Sequence, residues 1–123
     1  MGSEDWARAT ARAFLMLRLP ECAEVAKPGW WNDEGLKALS ARVVRAAPNE
    51  GGAHNMRANV LSGRGGAAWA KKEMPRSGAE FKEAAAHFDR AAALARAPGV
   101  KAENASFAVA CRRKAEAHAH SKA

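Results

Sequence analysis

The feature that most constrains this chain is its alanine content, about a quarter of the 123 residues, combined with a complete lack of isoleucine and tyrosine. Alanine has the highest intrinsic preference for the α-helix, whereas β-branched and aromatic residues are the ones that favour strands. Valine and threonine are also sparse. The composition therefore predicts an all-α fold, and the length predicts a single domain over residues 1–123.

Prolines and glycines divide the chain into five principal helical segments connected by short turns. Ser3 is suited to cap the first helix, and either Asn32 or Asp33 is suited to cap the second. The apolar stripe of the first helix is expected at Trp6, Ala9, Ala13, Met16 and Leu17. The later helices are expected over residues 33–47, 53–62, 78–97 and 101–117. Short turns of this kind favour antiparallel neighbours, which predicts helical hairpins.

The segment with the most consistent helical signals begins at Ser77. Ser77 followed three residues later by Glu80 makes a capping box, in which each side chain accepts from the backbone N–H of the other residue. The apolar face that follows is expected at Phe81, Ala84, Phe88, Ala91 and Ala95. Pro98 and Gly99 are expected to close this helix, and residues 118–123 are expected to form a frayed tail.

A family resemblance rests on the spacing of small and large residues in two consecutive helices. One helix carries Ala58 and Leu61, and the next carries a small, a large and a second small residue at spacings of four and three: Ala84, Phe88 and Ala91. This pattern resembles the tetratricopeptide repeat. The resemblance is degenerate and covers about two repeats over residues 33–117. The resemblance implies antiparallel hairpins stacked as a short tetratricopeptide-like array, with a groove that receives a peptide or partner helix. A small helical bundle unrelated to that family is the alternative architecture.

The repeat pattern is interrupted by a loop insertion over residues 63–76, which contains glycines, a tryptophan and several basic residues. If the basic side chains near this insertion converge, they form a surface suited to an acidic peptide or a phosphate backbone. Tryptophan often anchors such interfaces, although the tandem Trp30 and Trp31 equally fit the covering of helix ends. The predicted partner-binding residues are Arg57, Arg64, Trp69, Lys71 and Lys72.

The charge of the chain bears on its function, since it carries a formal net charge of +7 and has an isoelectric point near 10.0. A positive field attracts acidic partners without specifying them, and the predicted function is a noncatalytic interaction or scaffold module that binds a protein or an acidic peptide. A basic helical protein that binds nucleic acid is the alternative function. Neither an enzyme nor a cofactor is predicted, because no histidine lies near a nucleophile and the glycines around Gly63 lack the Gly-Lys-Ser/Thr ending of a phosphate loop.

Several other motifs are expected to carry no function. His118 and His120 have no acidic or thiol partner at a fixed spacing, so no metal site is predicted. Cys22 and Cys111 are too few for a disulfide framework and are expected to be reduced. The longest apolar run, residues 13–17, ends at a charge, so no membrane partner is expected. With an acidic N-terminus unlike a signal or transit peptide, the chain is predicted to be a soluble cytoplasmic protein.

Overall fold

A computed structural model describes residues 3–18, 26, 29–63 and 76–121 of the chain. These residues form five α-helices: α1 (Glu4–Leu17), α2 (Asp33–Ala46), α3 (Gly51–Leu61), α4 (Gly78–Leu94) and α5 (Pro98–Ser121). Within the described ranges there is no strand, so the predicted all-α class is confirmed. Each helix packs on the next one along the chain, and α1 also packs on α3, which makes a small helical bundle.

The helix starts follow from local side-chain capping. Ser3 accepts a hydrogen bond from a backbone N–H in the first turn of α1. Asn32 does the same for α2, so Asn32 is the cap of that helix. The predicted capping box of α4 is confirmed, because Ser77 and Glu80 each accept from the other's backbone N–H.

The core has two apolar clusters, and α3 contributes to both of them. Met56 and Val60 belong to the cluster shared with α1 and α2, whereas Ala58 and Leu61 belong to the one shared with α4 and α5. Seven of the 11 residues of α3 are buried, which is the pattern of a helix surrounded by others. The shortest of the five helices is therefore the central one.

The apolar stripe predicted for α1 is wrong, because the helix turns a different face to the core. Ala7, Ala11 and Phe14 are buried, whereas Met16 is 58% exposed. Phe14 packs against Trp31 with 5.4 Å between ring centroids, and this aromatic contact holds the buried face of α1. Alanines on several sides of α1 make more than one apolar stripe, so the periodicity alone did not identify the buried one.

Two predicted boundaries near α4 and α5 are also wrong. α4 ends three residues before its predicted end, and Pro98 begins α5 rather than closing α4. Proline suits the first position of a helix, where its missing N–H would have no intrahelical partner. α5 continues to Ser121 rather than ending at residue 117, and His118 lies next to Gly78 at the start of α4. The frayed tail over residues 118–123 stays a prediction.

The two tandem tryptophans close the core between α1 and α2. Trp31 is 7% exposed and lies within the apolar cluster, and Trp30 packs against it with 5.8 Å between ring centroids. Cys111 is 3% exposed on the inner face of α5. Cys22 and the greater part of the predicted insertion at residues 63–76 lie outside the described residues.

Candidate functional site

Arg57 is the one predicted partner-binding residue that lies within the described residues, and its guanidinium joins three helices. Its Nη1 donates to the Lys37 carbonyl at 2.6 Å and to the Ser40 hydroxyl at 3.0 Å, both on α2. Its Nη2 donates to Glu83 on α4 at 3.3 Å, and the side chain is only 15% exposed. These contacts assign Arg57 an internal role. The other four predicted residues lie outside the described part of the chain: Arg64, Trp69, Lys71 and Lys72.

A pair of histidines lies beside this arginine at the contact between α3 and α4. The Nδ1 atoms of His54 and His87 are 2.9 Å apart, and the two rings stack with 5.2 Å between their centroids. His54 Nε2 lies 2.7 Å from the carbonyl oxygen of Pro48, and His87 Nε2 lies 3.5 Å from Glu83. The histidine network, defined as Pro48, His54, His87, Glu83 and Arg57, therefore runs without a break from the α2–α3 turn to α4.

The partners of the two rings determine where their protons lie. A carbonyl oxygen only accepts, so the Nε2 of His54 carries a hydrogen and donates to Pro48. When the ring of His54 carries only this hydrogen, its Nδ1 is an acceptor, and the Nδ1 of His87 donates to it. Burial lowers the pKa of His87, the neighbouring His54 lowers it further, and Glu83 acts in the opposite direction. Burial thus favours neutral His87 at neutral pH, and its Nε2, 3.5 Å from Glu83, is where a further proton would be held.

A second buried arginine holds the chain where it re-enters the described structure before α4. The side chain of Arg76 is 1% exposed, and it donates to both carboxylate oxygens of Asp33, at 2.5 and 3.3 Å. It also donates to the carbonyl oxygen of Val60 at the end of α3. A charge that is buried and paired in this way fastens α2 to α3 and is not available to a partner.

An open groove of about 360 Å³ lies where α1, α3, α4 and α5 meet, and we call it the α3 groove. Its walls combine apolar side chains with polar ones: Leu15, Val100 and Phe107 with Arg18, Asn55 and Glu103. Val100 is 52% exposed, which is unusual for a valine that faces a concave surface. Apolar walls with a few polar groups are typical of a ligand-binding cleft.

The floor of the α3 groove is the first turn of α3, which begins with two glycines that face other helices. A Cβ on Gly51 would lie 3.6 Å from the carbonyl oxygen of Ala91 on α4, and one on Gly52 would lie 4.0 Å from Ala11 on α1. Both glycines belong to α3, which begins two residues before its predicted start at residue 53. Only the structure shows which helices these glycines touch.

No side chain caps this first turn of α3. The residue at the cap position is Glu50, whose carboxylate accepts instead from Arg8 at 2.8 Å. That hydrogen bond lowers the pKa of Glu50. The N-terminal end of a helix carries a partial positive charge, so the backbone N–H groups of this turn contribute one at the floor of the α3 groove.

Two side-chain amides, one of them buried, connect this turn to α5 and to the backbone of the exposed valine. Asn55 donates to the side-chain oxygen of Asn104 at 2.8 Å, and Asn104 donates to the carbonyl oxygen of Val100 at 2.9 Å. Asn104 is 4% exposed, so these bonds are shielded from water. They give the α3 groove a fixed wall on the α5 side.

A separate basic surface lies between α1 and α2. The guanidinium of Arg42 lies 5.3 Å above the ring of Trp6, within the range of a cation–π interaction. Arg45 and Ala46 complete a shallow pocket of about 280 Å³. The stacking on Trp6 restricts the orientation of Arg42 and brings two guanidinium groups to one face.

The described residues define a small all-α protein with a groove between four of its helices. Among them, no cluster of three or more His, Cys, Asp or Glu side chains is arranged to hold a metal ion. Nor does any helix in the described ranges have the length and apolar character needed to cross a bilayer. The chain matches no family model, and no similar curated protein or solved structure is found. Its resemblance to the tetratricopeptide repeat stays a prediction.

Proposed function

We propose that this chain is a noncatalytic interaction module that binds an acidic peptide in the α3 groove. The observation that carries the proposal is the combination of an exposed apolar wall with the uncapped first turn of α3 in one concave surface. Val100 and Phe107 offer apolar surface to a peptide side chain, and the uncapped start of α3 favours a carboxylate. The net charge of +7 adds a long-range attraction for an acidic partner.

The charges around the groove orient the peptide in this proposal. Arg18 lies on the α1 side and Glu103 on the α5 side. A carboxylate beside Glu103 would be repelled, so the acidic group of the peptide lies toward Arg18 and the floor. An apolar side chain of the same peptide then lies against Val100.

A tetratricopeptide-like arrangement is part of the proposal, and two features support it. Stacked hairpins place the first helix of one hairpin against the first helix of the next, and α1 packs on α3 in this way. The residues that carried the resemblance, Ala84, Phe88 and Ala91, are all buried on α4. In such an array a groove between hairpins is the place for a peptide.

Peptide selection with a matched pair of variants tests this function. A displayed library of short random peptides is panned against the full chain, and the best peptide is measured by fluorescence anisotropy. Val100→Glu removes apolar contact and adds an unpaired negative charge, so we expect it to weaken binding about tenfold or more. Val109→Glu is the control, since Val109 is 46% exposed on the same helix but does not line the groove. Failure to enrich any peptide, or equal losses in both variants, contradicts the proposal.

We propose nucleic-acid binding as a second candidate function, because Arg42 stacked on Trp6 beside Arg45 suits a phosphate backbone. This candidate predicts retardation of an oligonucleotide that weakens steeply with added salt. Changing Arg42 and Arg45 together to Glu abolishes it, whereas changing the exposed Arg96 and Arg113 to Glu, with the same change in net charge, leaves most of it. Absence of any retardation at low salt eliminates this candidate.

A further inference from the structure

The histidine pair joins α3 to α4, and each histidine lies close to the floor of the α3 groove on its own helix. On α3, His54 falls between Gly52 and Asn55, which both line the groove. On α4, Ala91 lines the groove one turn after His87 and on the same side of the helix. The Nδ1–Nδ1 hydrogen bond therefore ties α3 to α4 within about one turn of the groove floor.

The geometry of this pair limits how many protons it can hold. With one hydrogen between the two Nδ1 atoms at 2.9 Å, that hydrogen bond is satisfied. One additional proton can be held on the Nε2 of His87, where it faces Glu83. A second additional proton would place an N–H on both Nδ1 atoms, and two donors cannot face each other at this distance. A fully protonated pair has to separate.

We propose that the His54–His87 contact is a pH-sensitive latch, which holds the start of α3 against α4 at neutral pH and opens in acid. Opening withdraws the first turn of α3 from α4 and so alters the floor of the α3 groove. The consequence for peptide binding rests on the proposed function, whereas the opening itself does not.

The charged groups around the latch come from both helices that it joins. α3 supplies Arg57, whose positive charge disfavours protonation of His87, and α4 supplies Glu83, whose negative charge favours it. On α2, the carbonyl oxygen of Lys37 accepts a hydrogen bond from Arg57, and the Lys37 ammonium lies 2.6 Å from Glu80. The α2–α3 turn contributes only a carbonyl oxygen to His54. Glu83 is half-exposed, so its effect on His87 is weakened by solvent.

The sign of the pH effect follows from the lowered pKa of His87. Burial and then the neighbouring His54 hold the pKa of His87 below the ordinary histidine value of 6.5. The unfolded chain therefore binds more protons than the folded one just below that pH, so acidification costs the folded state free energy. The loss of stability begins below about pH 6.5 with the first added proton, on His87, and the pair separates only when it takes up a second one.

The experiment follows the latch in the full chain without any ligand. Nitrogen-15 NMR of the histidine rings reports the protonation of each ring nitrogen between about pH 7.5 and about pH 5.5. Amide protection factors, corrected for intrinsic exchange, report the opening of the first turn of α3. His87→Asn retains a donor toward His54 but does not titrate, and His118→Asn is the control on a histidine outside the network.

The expected result is a single shared hydrogen between the two Nδ1 atoms at neutral pH. In acid, protection of Ala53 and Asn55 is lost in the wild type and in His118→Asn, and is retained better in His87→Asn. An acid-induced loss that is the same in all three proteins overturns the latch, and so does independent titration of the two rings. Failure to find a peptide ligand would contradict the proposed function. It would not affect the test of the latch, because that experiment uses no ligand.

Discussion

Replacing Arg57 by methionine measures how much the guanidinium contributes to the packing of α2, α3 and α4. Methionine retains an unbranched stem and removes the three hydrogen bonds to Lys37, Ser40 and Glu83. Hydrogen bonds to a charged group contribute roughly 1.5–3 kcal/mol, and the half-exposed ion pair with Glu83 contributes at most about 1 kcal/mol.

The net cost is smaller than the sum of these contributions. Ser40 also donates to the Lys37 carbonyl at 3.2 Å, so that oxygen keeps one partner after the substitution. Removing the charge also relieves the desolvation of a mostly buried guanidinium. We therefore expect Arg57→Met to lower the free energy of unfolding by about 2 kcal/mol.

Urea unfolding followed by far-ultraviolet circular dichroism measures this loss. Arg90→Met is the matched control, because Arg90 is exposed on α4 and donates only to Asn49. We expect the control to change stability by less than about 0.5 kcal/mol. If Arg57→Met also stays within about 0.5 kcal/mol of the wild type, the internal role of Arg57 is refuted. The guanidinium would then be available to a partner, as the sequence alone suggested.

Two further predictions concern backbone packing and acid sensitivity. Gly35→Ala places a Cβ 2.5 Å from the carbonyl oxygen of Trp30, so it should lower stability by about 1–3 kcal/mol in urea unfolding. Gly51→Ala meets its neighbours at 3.6 Å and should raise stability by about 0.5–1 kcal/mol; a gain at both positions would contradict the close contact at Gly35. The hydrogen bond from Arg8 lowers the pKa of Glu50, so its contribution is present above about pH 4.5 and is lost as the pH falls. Glu50→Gln should therefore make the free energy of unfolding less dependent on acid pH. An equal pH dependence of this free energy in the wild type and in Glu50→Gln would contradict the prediction.

The α3 groove and the loop insertion are different locations for partner binding, and the peptide experiment separates them. Arg57 was predicted to extend the basic surface of the insertion, but its side chain is bound within the bundle. Arg76, which follows the insertion, is bound to Asp33. Both arginines near the ends of the insertion are thus internal, and the exposed apolar surface lies instead on α5 at Val100.

The sequence by itself determined the helical class and the helix starts that depend on local chemistry. Ser3 and the Ser77–Glu80 capping box act on backbone groups within three residues, so their signals can be read without knowing the fold. The buried face of α4 was also readable, because Phe81 and Phe88 are large residues on a single side of that helix. In each case the determining interaction lies within one segment.

Only the tertiary structure decided which faces meet between segments. The buried face of α1 depends on Phe14 meeting Trp31, and alanines offered no way to choose it from periodicity. The pairing of His54 with His87 joins residues that are 33 positions apart. The α3 groove forms where the first turn of α3 meets two other helices. Alanine specifies helix strongly but presents nearly the same small apolar surface on every side, so the few large and polar residues decide the packing.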